Sequence, residues 1–305
     1  MKLGINGTGL VQTASVDAIT ADALKAEQAG FHSYWLAEHP TGGFDALTVL
    51  ALVGQKTARI ELGTAIVPTF PRHPMTLAGQ ALTAASAMDC PITLGIGLSH
   101  QVMMASLGLP FDKPIGHLRD YLSVLMPLIN QGQVNFSGDH YQCQGNFFQP
   151  PKRTPSVLVA ALGPQALRVA GHRTDGTTLA WVGPKTIQSH IKPRLFEAAA
   201  KAGKPEPRIL ATLPICITSD EKKRREQISR NLAFYAELPS YKAMFEREGV
   251  SQPGDIALVG TAEKVAESLA LLAEAGVTDF AASLFTTTDK EASETYTFLT
   301  RQLTR

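Results

Sequence analysis

Eight strand-like runs alternate with helix-like runs along this chain, and that alternation leaves few folds open. KLGIN (2–6), SYWLAEH (33–39), IELGTAIV (60–67) and ITLGIG (92–97) make the first half; VLVAAL (157–162), TTLAWV (177–182), RILATLPICIT (208–218) and VTDFAASLF (277–285) make the second. They are apolar along most of their length, as strands buried on both faces are. The intervening runs carry helix punctuation: SVDAITADALKAEQAG (15–30) opens on Ser and Asp and stops at Gly. Such alternation means a parallel sheet covered by helices. Eight units in 305 residues predict an α/β fold, a closed (β/α)8 TIM barrel with insertion segments. An open doubly wound sheet more often uses six strands and then changes character in a second domain. No composition shift marks such a boundary, so one barrel domain over 1–305 is expected, with insertions at about 98–116, 133–155 and 239–256. These three are lid or substrate candidates.

Composition narrows the function classes. The chain is 44% hydrophobic and 18% charged, with a formal net charge of +1, and no Lys/Arg stripe interleaves with aromatics, so nucleic acid is not an expected partner. The charge run DEKKRREQ (220–227) reads as the solvated first turn of a helix. The longest apolar stretch, ILATLPICI, is about half of the ~20 residues a membrane helix needs. No basic segment followed by an apolar one opens the chain, which together predict a cytoplasmic protein without a membrane partner. Cys90, Cys143 and Cys216 are scattered and odd in number, with no CxxC pair, so neither a disulfide framework nor a metal site is expected.

LGINGTGLVQ (3–12) imitates a dinucleotide fingerprint, with Glu38 placed like a ribose ligand. A fingerprint wants a third small residue where Gln12 stands and a helix opening at the second glycine; residues 13–16 delay the helix instead. The chemistry of a parallel barrel sits at the C-terminal strand ends. Those ends carry Glu38-His39, then Arg72-His73, then Gly97-Leu98-Ser99-His100, then Ala161-Leu162-Gly163-Pro164. Three histidines on one rim suit acid–base work, while no pair has helical metal-ligand spacing. ALGPQAL (161–167) ends a strand, offers Gly for close backbone approach and puts Pro in the first helical turn; it is either a phosphate turn or an empty βα turn. Arg72 and His73 are candidate anion or substrate ligands, with Arg72 equally readable as a surface residue at a helix start.

These segments together, KLGI, SYWLAEH, ELGTAIVPTFPRHP, LGIGLSH and AALGPQALRVAG with DGTTLAWVGP, resemble the luciferase-like monooxygenase superfamily, most closely its coenzyme F420-dependent oxidoreductase branch. The resemblance implies a non-prolyl cis peptide at Ala65–Ile66, flanked by Thr64 and Val67 and backing the tricyclic ring. It implies that Gly97, Leu98 and Ser99 run beside the ring, with Glu38 near it, and that Ala161, Leu162, Gly163 and Pro164 form the phosphate turn. His39 matches a residue that faces ring or substrate in several family members. His100 stands where sugar-phosphate dehydrogenases of the branch carry a glutamate, which argues against that activity and leaves an acid–base role open. The implied reaction is hydride transfer between the deazaflavin C5 and a small organic substrate, by reduction of a C=C, C=N or C=O bond, with His39 or His100 catalytic. An FMN-dependent monooxygenase using oxygen is the alternative, and a non-catalytic flavin-binding barrel a further one. The family habit implies a homodimer. Aromatics of the irregular segments (Phe111, Tyr141, Phe147, Phe148, Tyr235, Tyr241) predict a partly apolar pocket.

Overall fold

The computed structural model describes residues 1–11, 15–39, 42–148 and 153–303; Gln12 and residues 149–152 of the second insertion lie outside them. In chain order the first half runs β1 (Lys2–Asn6), α1 (Val16–Gln28), β2 (Ser33–Leu36), α2 (Ala46–Gly54), β3 (Glu61–Thr64), β4 (Val67–Pro68), α3 (Pro74–Ser86) and β5 (Ile92–Gly97). Next come α4 (Gln101–Ser106), α5 (Pro114–Gln131), β6 (Gln133–Ser137), β7 (Gln142–Asn146), β8 (Ser156–Ala160), α6 (Pro164–Arg173) and β9 (Gly176–Ala180). The remainder is α7 (Pro184–Thr186), a π-helical turn at 187–191, α8 (Lys192–Lys201), β10 (Arg208–Ile217), α9 (Glu221–Asn231), α10 (Ala233–Glu237), α11 (Pro239–Glu248), β11 (Leu258–Gly260), α12 (Ala262–Glu274), β12 (Asp279–Leu284) and α13 (Asp289–Gln302).

β10-β12-β1-β2-β3-β5-β8-β9 pair in parallel, and β9 pairs back with β10, closing an eight-stranded barrel. All eight are the strand runs read from the sequence. Three details refine that reading, the first of them at the bond where the resemblance implies a cis peptide. The run 60–67 is two strands, β3 and β4, parted at Ala65–Ile66; β11 adds a short partner to β10; and the second insertion folds as an antiparallel hairpin, β6–β7.

The barrel interior is built in layers. Arg208 at the start of β10 reaches Glu61 at the start of β3, with Nη1 2.8 Å from Oε1, and Asp279 at the start of β12, with Nη2 2.8 Å from Oδ1. β10 and β3 are four strands apart either way round the ring, so this pair spans the barrel and closes its N-terminal mouth. One layer up, Trp35, Leu158, Leu210 and Ala281 form a buried cluster separate from the outer core, with Ala65 packed on it. Gly63 makes the room: a Cβ there would sit 2.1 Å from the Trp35 ring. Above this floor the C-terminal strand ends are free to build a site.

Candidate active site

The bulge between β3 and β4 is held from both sides. Ala65 N–H donates to Leu36 O (2.8 Å) and Ile66 O accepts from Glu38 N–H (2.9 Å), so the end of β2 carries it; the Ala65–Ile66 peptide is cis. On the other side Val67 pairs with Ile96 and Pro68 with Gly97. Thr64 is buried, its hydroxyl donating to Gly95 O (2.8 Å) and accepting from Gly95 N–H (2.9 Å). Its side chain therefore stitches β3 to β5, and only its backbone flanks the rim. The Thr8 hydroxyl accepts from Ala37 N–H (2.9 Å), tying the Gly7–Leu10 turn to the same strand end. Gly7 and Gly9 line a cavity of about 800 Å³ together with Arg224, Phe285 and Tyr296. The opening stretch thus leads into a single 3-10 turn and the barrel mouth, with α1 starting only at Val16 behind a Ser15 cap.

Following the rim, β2 ends at Glu38 and His39, β5 at Gly97, Leu98, Ser99 and His100, and β8 at Ala161, Leu162, Gly163 and Pro164. β5 and β8 are neighbours and β3 stands between β2 and β5, at ~4.8 Å per strand. Ser99 adopts φ 60° and its hydroxyl donates to Met103 Sδ (3.5 Å), turning the chain into α4. At the β8 end, α6 opens at Gly163 with no side-chain cap, and the N–H groups of Gly163, Gln165 and Ala166 meet no acceptor among the described residues. A Cβ on Gly163 would meet nothing within 4 Å, so the turn is open at this residue. The turn is positioned from behind by His190, on the π-helical turn, whose Nε2 lies 2.8 Å from Leu162 O.

Two residues with proposed anion roles are already engaged. The Arg72 guanidinium lies between the Glu38 and Asp45 carboxylates, and the Glu38 carboxylate also accepts from Ala46 N–H (3.3 Å). Arg72 is therefore a neutralised structural cation pinning Glu38 to the start of α2, with no unspent charge for a substrate anion. His73 caps α3, its Nδ1 accepting from Met75 N–H (3.2 Å).

His100 is half-buried, and its ring centroid lies 5.6 Å from that of Tyr241. Burial pushes its pKa below the ordinary histidine value, so the neutral imidazole prevails at neutral pH. Tyr241 begins a run of edge and tilted ring contacts: Tyr241–Tyr235 (5.6 Å), Tyr235–Trp181 (5.8 Å) and Trp181–Phe285 (6.5 Å). Strand ends of β5, β9 and β12 are thereby joined through α10 and α11, which gives the rim an aromatic wall. Of the other segment aromatics, Phe111 stacks on Phe70 at 5.0 Å, while Phe148 is fully exposed.

Sequence reasoning missed three residues. Thr212 follows Arg208 and Leu210 on the inward-facing side of β10, is buried, and its hydroxyl has no partner among the described residues. It therefore points up from the Trp35 layer into the mouth. His190 looked like any helix histidine. His117, on α5, stacks on Phe70 with ring centroids 3.8 Å apart and an interplanar angle of 2°, its Nε2 3.0 Å from the Thr69 hydroxyl. Burial first, and the nearby His140 second, lower its pKa to about 4.

That shift has a stability consequence. The unfolded chain takes up a proton at His117 near its ordinary value of 6.5 while the native state resists until about 4, so stability rises with pH across that window. Going from about pH 7 to about pH 5 should cost ~2 kcal/mol through this one group. Urea unfolding of His117→Gln at both pH values should show a drop smaller by about that amount; an unchanged drop would refute the assignment.

A family model described as luciferase-like monooxygenase matches residues 3–279. The chain belongs to the luciferase-like monooxygenase family. This luciferase-like chain is 27% identical over 238 residues to an F420-dependent glucose-6-phosphate dehydrogenase of Nakamurella multipartita, covering 73% of this chain and 70% of that one. Its fold is similar to that of the coenzyme F420-dependent tetrahydromethanopterin reductase from Methanopyrus kandleri, with a TM-score of 0.83 at 21% identity over 99% of this chain and 98% of that one. An F420-dependent secondary alcohol dehydrogenase, solved with an F420-acetone adduct, superposes with a TM-score of 0.79 at 17% identity, covering 98% of both chains. No helix among the described residues is long and apolar enough to cross a membrane.

Proposed function

We propose that this luciferase-like chain is a coenzyme F420-dependent oxidoreductase acting on a small organic substrate. The observation that carries the reading is the uncapped N–H turn at Gly163, open to space on the same rim as the Ala65–Ile66 bulge and the two histidines. The sequence relative, named for F420 dependence, supports the choice of deazaflavin over FMN.

The residues fit such a group. Gly163, Gln165 and Ala166 would offer a phosphate the amide donors of a helix start, next to Leu162 and with Pro164 shaping the first turn, where a negative charge is also favoured by the helix dipole. Ala65, Ile66 and Val67 would back the ring from the β3–β4 side, with Gly97, Leu98 and Ser99 along its edge. The orphaned Thr212 hydroxyl supplies a polar contact from the floor. Bound F420 supplies a carbon hydride donor or acceptor at C5.

The protein's part is the proton. His39 or His100 exchanges it with the substrate atom next to the carbon that gains or loses hydride. A neutral His100 can accept a proton from an alcohol or amine being oxidised, and return it in the reverse direction. The aromatic wall from Tyr241 to Phe285 lines the approach with apolar surface and keeps water from the reacting atoms. Arg72 is neutralised by Glu38 and Asp45, so its charge gives no support for carrying the glucose 6-phosphate named for the relative over to this chain.

Parallel titrations with F420 and FMN test the reading: F420 should bind at least ~10-fold more tightly, a difference of about 1.4 kcal/mol. Tighter FMN binding would favour the monooxygenase alternative. Gly163→Ala, whose φ of −79° suits any residue, should keep stability within about 1 kcal/mol. It should nevertheless weaken F420, because its methyl adds bulk to the turn that the phosphate would approach.

A further inference from the structure

Beyond the rim, α6 carries a stripe of charge. Gln165, Arg168, His172 and Arg173 recur at helical spacing along the face that meets α5 and α8. Arg119 from α5, with Arg194 and Lys201 from α8, completes the wall of a groove of about 350 Å³. Val169 and Ala198 are its buried floor. Five permanent cations thus line a space in which Glu197 is the one carboxylate among the lining residues, and Glu197 is held by Lys201 at 2.6 Å.

The rest of that charge is not spent inside the protein. Arg173 donates to Arg119 O (3.2 Å) and to the Ser123 hydroxyl, and Arg194 to His190 O (2.9 Å); these are neutral acceptors. Arg119 and Arg168 have no ion-pair partner among the described residues. The whole chain has a formal net charge of only +1, so this cluster is a local concentration and not general basicity. Crowded like charges destabilise a fold unless something anionic occupies the field they create.

The groove's position says what that is. It begins at Gln165, two residues past Gly163, and runs along α6 away from the rim for ~12 Å at 1.5 Å per residue. An occupant anchored by a phosphate at the Gly163 turn and continuing as a polycarboxylate chain would leave the turn and enter this groove directly. F420 has that chemistry, since a lactyl oligoglutamate chain follows its phosphate. We propose that the α5–α6–α8 groove binds the oligoglutamate tail of the cofactor. The proposal rests on the F420 reading above, and on charge complementarity along the stripe.

The test compares F420 bearing a long glutamate chain with the truncated form that lacks glutamates, by fluorescence titration of the full chain. The wild type should prefer the long form by roughly tenfold or more at about 50 mM salt, with the preference shrinking at about 300 mM. Arg119→Gln combined with Arg168→Gln, both exposed positions, should reduce that preference to about threefold or less. The same variant should leave the affinity for the truncated form, and kcat with it, unchanged. Equal affinity of the wild type for both forms would overturn the groove assignment while leaving the cofactor reading intact. So would a variant that weakens both forms equally, or one that keeps the full preference. If neither form binds, the cofactor reading fails and the tail site fails with it. A groove that binds an acidic peptide but ignores glutamate-chain length would mark it as a protein-docking surface instead.

Discussion

His39→Ala and His100→Ala should leave F420 bound while lowering turnover by roughly 10²- to 10⁴-fold in whichever variant loses the proton-transfer group. The expectation follows from geometry and balance. Hydride transfer moves two electrons and one proton, so a second group must handle the other proton. Among the rim residues, Glu38 is pinned by Arg72 and by Ala46 N–H, and His73 is spent as a helix cap. His39 and His100 are the two titratable groups at the ends of β2 and β5 with neither duty. For His100 the pH profile adds a signature. Burial lowers its pKa, so the acidic limb of kcat assigned to it should fall below the ordinary histidine range and disappear in His100→Ala. Single-turnover kinetics with prebound F420 would separate this from weakened binding. Full turnover in both variants would sink the acid–base assignment.

A large loss of stability should follow from Gly95→Ala. A Cβ at this position would lie 2.0 Å from the Thr64 carbonyl oxygen and 3.0 Å from its carbon. Backbone is the obstacle, and the Thr64 hydroxyl already binds Gly95 through both O and N–H, so the strands cannot part without losing two buried hydrogen bonds. The cost should reach about 3 kcal/mol or more, since overpacking strain and two broken bonds add. For a chain of 305 residues, at ~2.1 cal/mol/K of unfolding entropy per residue, that corresponds to a fall of ~5 °C in Tm. Gly163→Ala, with open space around its Cβ, is the matched control. A Gly95→Ala protein that melts with the wild type would show that β3 and β5 are not locked as described.

Part of the site was legible because its signals are local. The strand ends are found by counting units, and rim histidines and a Gly-Pro turn after a strand can be named from neighbours in sequence. Arg72 shows the limit of that reading. Its charge suggests an anion ligand, but the carboxylates that neutralise it, Glu38 and Asp45, are 34 and 27 positions earlier in the chain. Thr64 shows it again: its position beside the bulge is apparent, yet its hydroxyl is committed to Gly95, 31 residues on. His117 gives no local hint of its stacking on Phe70, 47 residues earlier, nor of the burial that keeps it neutral.

Short continuous apolar runs alternating with helix-like runs, with caps and glycine stops, determined by themselves the eight-unit order and hence the barrel, because those patterns depend only on near neighbours. Closure of the sheet decided the rest. It set Arg208 against Glu61, 147 residues apart, to plug the floor, and aimed the unpaired Thr212 hydroxyl upward. It laid α5, α6 and α8 side by side so that five scattered cations share one groove. Electrostatics and packing act through space at a few ångströms, and only the folded barrel brings distant residues within that range.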